Sequence, residues 1–155
     1  MRDNEVTEFR DVLALRALVE RYAQAVDAGD SSSFTAVFTP DGHLAVDDGV
    51  TVTDYYGRDE IPQIPDATKS LAPRTMHVIG NHVAKIDGDS ASGVTYCVAN
   101  HLRADRSNLV MMVRYLDLYR RGSDGEWLIA DRRVVIEWTE TRQADPPGLQ
   151  AVLGT

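Results

Sequence analysis

Apolar residues in the first thirty positions recur at steps of three and four. Val12, Leu15, Val19, Tyr22 and Val26 fall on one face of a helix over 6–28, while Arg16, Glu20 and Gln24 lie off that face. Gly29 suits the position just past a helix end, and Asp30 can cap a second short helix, "SSSFTAVF". "TPDG" (39–42) reads as a turn, followed by short strands in "HLAVDD" and "VTVTDYYG". Residues 58–72 are a helix-or-loop segment interrupted by Pro62 and Pro65. Beyond them the pattern alternates, and four long strands are expected over 74–86, 92–104, 109–121 and 126–139. "DGDS", "DRSN" and "GSDG" separate those strands. Helices followed by an antiparallel meander define an α+β domain with helices packed on one face of a sheet.

Alternation also sorts polar residues onto faces. Arg132 shares a face with Leu128, Ala130, Val134, Ile136 and Trp138, and Asp117 shares one with Val113, Tyr115 and Tyr119. A guanidinium on an apolar face has to be paired, because burying it alone is very costly. Either Arg132 and Asp117 form a structural pair, or they face a ligand. His77 and His82, five residues apart, fall on opposite faces of a regular strand. Without a bulge at Gly80 they cannot share a metal, and no metal site is expected. His101 lies on a face with Cys97 and Ala99, and His43, beside a turn, is expected to be exposed. Asp27 ends the first helix, where the negative end of the dipole and partial burial both work against its charge. Such a carboxylate can serve as a base or as the partner of a histidine, but an aspartate in a helix-ending turn is equally an ordinary structural feature.

Composition narrows the setting. The chain has 155 residues, enough for one domain with one core, here a core over about 8–140 and a tail over 141–155. Its net charge of −8, with no Lys/Arg cluster, argues against nucleic acid and anionic membranes as partners. No apolar run approaches the ~18 residues of a membrane span. The charged opening "MRDNEVTEFR" does not read as a signal peptide, so a cytoplasmic protein is expected. Cys97 is the single cysteine, which excludes an internal disulfide and a Cys-rich zinc site.

Three stretches carry a resemblance. "ALVERYAQAVDAGDSSSFTAVFTPDG", "RTMHVIGNHVAKIDGDSASGVTY" and "YLDLYRRGSDGEWLIADRRV" resemble the opening helices, central hairpin and closing hairpin of the SnoaL-like group of the nuclear transport factor 2-like superfamily. The resemblance spans roughly residues 10–138. It implies a cone in which a strongly bent, mixed but largely antiparallel sheet encloses an apolar pocket closed by the N-terminal helices.

The resemblance also implies residue roles. Asp27 and His77 fall where dehydratases and a dehydrochlorinase of the superfamily keep an aspartate–histidine dyad. Arg132 falls at a pocket arginine, His101 near a second pocket histidine, and Tyr22 at a catalytic tyrosine. Those relatives catalyse eliminations without a cofactor, so no cofactor is expected. The implied activity is a lyase acting on a small hydrophobic cyclic molecule such as a steroid, polyketide or aromatic intermediate. Val26 and Val46 replace two water-holding tyrosines of scytalone dehydratase, and Val113 and Tyr115 stand near its missing pocket serine and asparagine. Scytalone itself is therefore not the expected substrate. A second carry-over places Tyr22 and Asp117 at the oxyanion hole of ketosteroid isomerase, whose base aligns with Val46 beside Asp47 and Asp48. An isomerase or polyketide cyclase, and a non-catalytic binding module, stay open. Relatives assemble as dimers or trimers, so a homo-oligomer is expected.

Overall fold

The computed structural model describes residues 3–145. Helix α1 (Asp3–Ala28) leads to α2 (Ser31–Ala36) and strands β1 (Phe38–Asp47) and β2 (Val52–Tyr56). Helix α3 (Gly57–Glu60), a 3₁₀ turn (Ile61–Gln63) and α4 (Ile64–Leu71) follow. Strands β3 (Arg74–Asp87), β4 (Ser90–Leu102), β5 (Ser107–Arg121) and β6 (Trp127–Gln143) complete the described chain. The last ten residues of the expected tail, 146–155, lie outside the described residues.

The sheet has the order β2-β1-β6-β5-β4-β3. β1 and β6 run parallel, and every other neighbouring pair is antiparallel. α1 packs on the inner face and buries Leu15, Leu18, Val19, Tyr22 and Val26 against Phe34, Phe38, Tyr115 and Ile129. The apolar stripe that defines the helix is thus the one it buries, although Val12 near its start stays 38% exposed.

The end of α1 is sharply defined. Gly29 N–H donates to the Val26 carbonyl and Asp30 N–H to the Ala25 carbonyl. These two bonds around a left-handed residue form a Schellman motif, and Gly29 supplies the required φ of +69°. The Asp30 carboxylate then accepts from Ser33 N–H at 3.0 Å and caps α2. Pro62 and Pro65 are the second residues of the 3₁₀ turn and of α4, within the first turn, where a backbone N–H has no intrahelical partner to lose.

Three strands depart from strict alternation. In β3, Ile79 pairs with Cys97 but His82 with Thr95, so one extra residue bulges out at Gly80–Asn81. Thr75, His77 and Ile79 face inward before the bulge, and His82, Ala84 and Ile86 after it. The expected separation of His77 and His82 onto opposite faces is therefore wrong. In β6, irregularities opposite Leu118/Tyr119 and Met112/Val113 likewise switch the face. Trp127 and Ile129 are buried with Arg132, while Trp138, expected inside, is 57% exposed on the outer face. "TPDG" is not a turn between elements but a distortion within β1, where the register shifts between Phe38 and His43.

His43 is not exposed as expected. It bridges three strands: Nδ1 lies 2.7 Å from Asp131 of β6 and Nε2 lies 2.9 Å from Asp54 of β2. Its ring stacks on Tyr56 at 4.6 Å. Carboxylates only accept, so this bridge is complete only when both ring nitrogens carry protons. Burial pulls the His43 pKa down, but the hydrogen bonds and charges of Asp131 and Asp54 outweigh it and leave the pKa above the ordinary 6.5. A raised folded-state pKa adds stability that is fully present below the unfolded value and is lost as pH rises through the folded one. Denaturation midpoints of the wild type should therefore fall, relative to His43→Gln, as pH is raised from about 6.5. A wild type and variant that keep a constant offset across that range would contradict the bridge.

Candidate functional site

α1 delivers Asp27 to the outer edge of β3. Asp27 Oδ1 lies 2.7 Å from His77 Nδ1, and Asp27 Oδ2 accepts the His77 backbone N–H at 2.9 Å. One carboxylate thus holds both the ring and the backbone of the histidine. Burial pushes the Asp27 pKa up, but hydrogen bonds from the His77 ring and N–H and from Thr75 more than offset it, so the pKa lies below the ordinary 3.8. The sequence-based expectation of a raised value fails because that argument omitted these donors. An ionised Asp27 can only accept, so His77 Nδ1 carries the proton, and any lone pair the ring offers as a base is on Nε2.

His101 stands beside this pair, with its ring edge-on to His77 at 5.4 Å. Burial, then the nearby His77, pull its pKa down to about 4, so it stays neutral at working pH. His101 is 5% exposed, and its Nδ1 has no hydrogen-bond partner among the described residues.

A second cluster forms around Arg132, which has no exposed surface. Its Nε and Nη2 donate to the two oxygens of Asp117, each at 2.8 Å. Tyr119 O–H donates to Asp117 Oδ2 at 2.7 Å, and His82 Nε2 lies 3.4 Å from the Tyr119 oxygen. The rings of Tyr22 and Tyr115, edge-on to each other at 5.5 Å, both lie against the guanidinium, with centroids 4.1 and 4.3 Å from its central carbon. Burial pushes the Tyr22 hydroxyl up to about 12, against the pull of Arg132, and Tyr115 is raised for the same reason. Burial works against the charge of Arg132, but Asp117 reverses that and the pKa ends above its ordinary value. Arg132 Nη1 has no partner among the described residues.

The residues singled out in the sequence therefore fall into two groups. Asp27, His77 and His101 meet at the α1–β3 seam. Tyr22, Tyr115, Asp117 and Arg132 meet deeper in the sheet's concavity. Both Asp117 oxygens are engaged inside the protein. Two side chains that sequence reasoning set aside also reach the site. His82 is turned inward by the bulge, and Arg16 reaches across from α1 to the carbonyls of Ile79 and Gly80. A glycine inside a strand pattern was the signal available for the bulge. Among the described residues no cluster of three or more His, Cys, Asp or Glu side chains is placed to hold a metal ion.

The chain matches the SnoaL-like domain model over residues 7–133 and belongs to that family. Its nuclear transport factor 2-like cone is shared by solved structures. The hexachlorocyclohexane dehydrochlorinase LinA-type3 of Novosphingobium barchaimii superposes with a TM-score of 0.79 at 14% identity, covering 92% of this chain and 99% of that one. A Novosphingobium aromaticivorans protein provisionally assigned as a scytalone dehydratase gives 0.74 at 21% identity, with 96% and 98% covered. In sequence, an uncharacterized protein of Mycobacterium tuberculosis is 30% identical over 130 residues, which is 82% of this chain and 86% of that protein.

The Arg132–Asp117 pair makes a stability prediction. Removing one partner of a fully buried ion pair leaves the other uncompensated, which costs about 3–5 kcal/mol. Arg132→Met should lower unfolding free energy by that amount in urea titrations, and the double variant Arg132→Met/Asp117→Leu should recover part of it. Equal loss in the single and double variants would contradict the pairing.

Proposed function

We propose that the protein is a cofactor-independent lyase that eliminates water, or a comparable leaving group, from a small hydrophobic cyclic substrate. The observation that carries this reading is the 2.7 Å contact between Asp27 and His77, which leaves His77 Nε2 as the free base. In the proposed reaction Nε2 takes a proton from carbon, and the C–H electrons form the new double bond as the bond to the leaving oxygen breaks. The Asp27 carboxylate stabilises the imidazolium formed, which then returns the proton to the departing hydroxyl as water. Tyr22, held protonated by burial, and Arg132, through its unpartnered Nη1, are the donors suited to polarise a substrate carbonyl. Tyr115 would line the pocket beside them, and neutral His101 would complete the wall next to the base.

The dehydratase and dehydrochlorinase assignments of structures with this fold agree with elimination chemistry. A steroid, polyketide or aromatic intermediate suits the apolar setting. The isomerase and cyclase reading is weaker, because it needs Asp117 as a free acid and both of its oxygens are occupied. A homo-oligomer fits the outer face of the sheet, where Val78, Val98, Met112 and Trp138 form an apolar row across four strands.

The test is a panel of carbonyl-containing alicyclic alcohols, followed by the absorbance of the enone formed. Asp27→Asn and His77→Ala should each lower kcat by about 100-fold or more. Turnover that survives both substitutions would remove the dyad from the mechanism.

A further inference from the structure

β3 is the last strand of the sheet, so backbone groups on its outer edge have no strand to pair with. α1 meets three of them with side chains. Asp27 Oδ2 takes the His77 N–H, while Arg16 Nη2 donates to the Ile79 carbonyl at 3.3 Å and Arg16 Nη1 to the Gly80 carbonyl. Arg16 Nε donates in turn to Glu20, one turn along the helix, at 2.7 Å, which fixes the plane of the guanidinium. Ile79 and Gly80 are the residues at which the β3 bulge begins. Gly80 also fits closely: a Cβ there would lie 3.3 Å from the Tyr96 carbonyl oxygen. Between the two clamps runs a groove of about 470 Å³, lined by Arg16, Glu20, Gln24, Asp27, His77 and Ile79 among others.

We infer that Arg16 is a positioning residue for the Asp27–His77 dyad: by gripping the bulge carbonyls it holds the edge of β3 against α1 so that one Asp27 carboxylate can bond both His77 nitrogens. Asp27 holds the edge strand in one place, around Thr75 and His77, and a strand held in one place can pivot about it. The second clamp lies two to three residues further along β3 and removes that freedom. The guanidinium suits the task because its fork presents donors to two successive carbonyls at once. The Arg16 side chain is 32% exposed, so its removal opens no cavity in the core. The consequence for turnover rests on the lyase reading above, but the consequence for His77 does not.

The experiment compares Arg16→Met, which keeps the stem and loses the donors, and Arg16→Lys, which keeps the charge, with wild type. Backbone amide exchange is followed by NMR at His77 and at the core positions Cys97 and Tyr115. In Arg16→Met the His77 amide should exchange about tenfold faster while the two core amides keep their wild-type rates. On a substrate turned over by the wild type, kcat should fall about tenfold with KM within twofold, and Arg16→Lys should recover part of both effects. Unchanged exchange at His77, or acceleration of Cys97 and Tyr115 by the same factor, would overturn the inference. Faster exchange at His77 alone, with turnover indifferent to His77→Ala, would uphold the positioning role and discard the lyase reading instead.

Discussion

One carboxylate ties the end of helix α1 to the edge of the sheet. Asp27 stands in the last turn of α1 and bonds both the ring and the backbone of His77 on the sheet's edge strand. The position depends on the Schellman motif at Gly29, which ends α1 one residue after Asp27 and returns the chain toward α2. The same contact sets the histidine's tautomer, because an ionised carboxylate can receive the Nδ1 proton but cannot supply one. Fold and chemistry therefore share an interaction. Whatever loosens α1 from β3 also frees the imidazole.

The second organising feature is the buried Arg132–Asp117 pair beside the rings of Tyr22 and Tyr115. It meets the desolvation problem of a guanidinium with both oxygens of its partner and the contacts of the two rings. Nη1 alone is left over. The arrangement converts Asp117 from a possible acid into a brace, and it leaves Arg132 able to present one donor to a bound molecule. In the proposed reaction that donor would polarise a substrate carbonyl within an otherwise apolar interior.

Much of the fold was legible because its periods are regular. The helical stripe from Leu15 to Val26 and the inward series Val113, Tyr115, Asp117 and Tyr119 are found where spacing puts them. The failures in assigning strand faces share one cause. Strand alternation carries no knowledge of an inserted residue, and the bulges in β3 and β6 flip every side chain beyond them. That is how His82 moved inside and Trp138 moved out. The three-strand bridge at His43 was illegible for another reason: its partners, Asp54 and Asp131, are distant in sequence and meet only once β1 lies between β2 and β6. The pairing of Asp27 with His77 was suggested by resemblance alone, since nothing in local spacing links residues fifty positions apart.

The ring nitrogens of His77 test the account most directly. In protein labelled with ¹⁵N-histidine, at a pH where the His77 ring is neutral, it should show a protonated Nδ1 and an unprotonated Nε2, and Asp27→Asn should disturb that assignment. A His77 ring that carries its proton on Nε2, or that averages between the two nitrogens in the wild type, would contradict the claim that Asp27 prepares this histidine as a base.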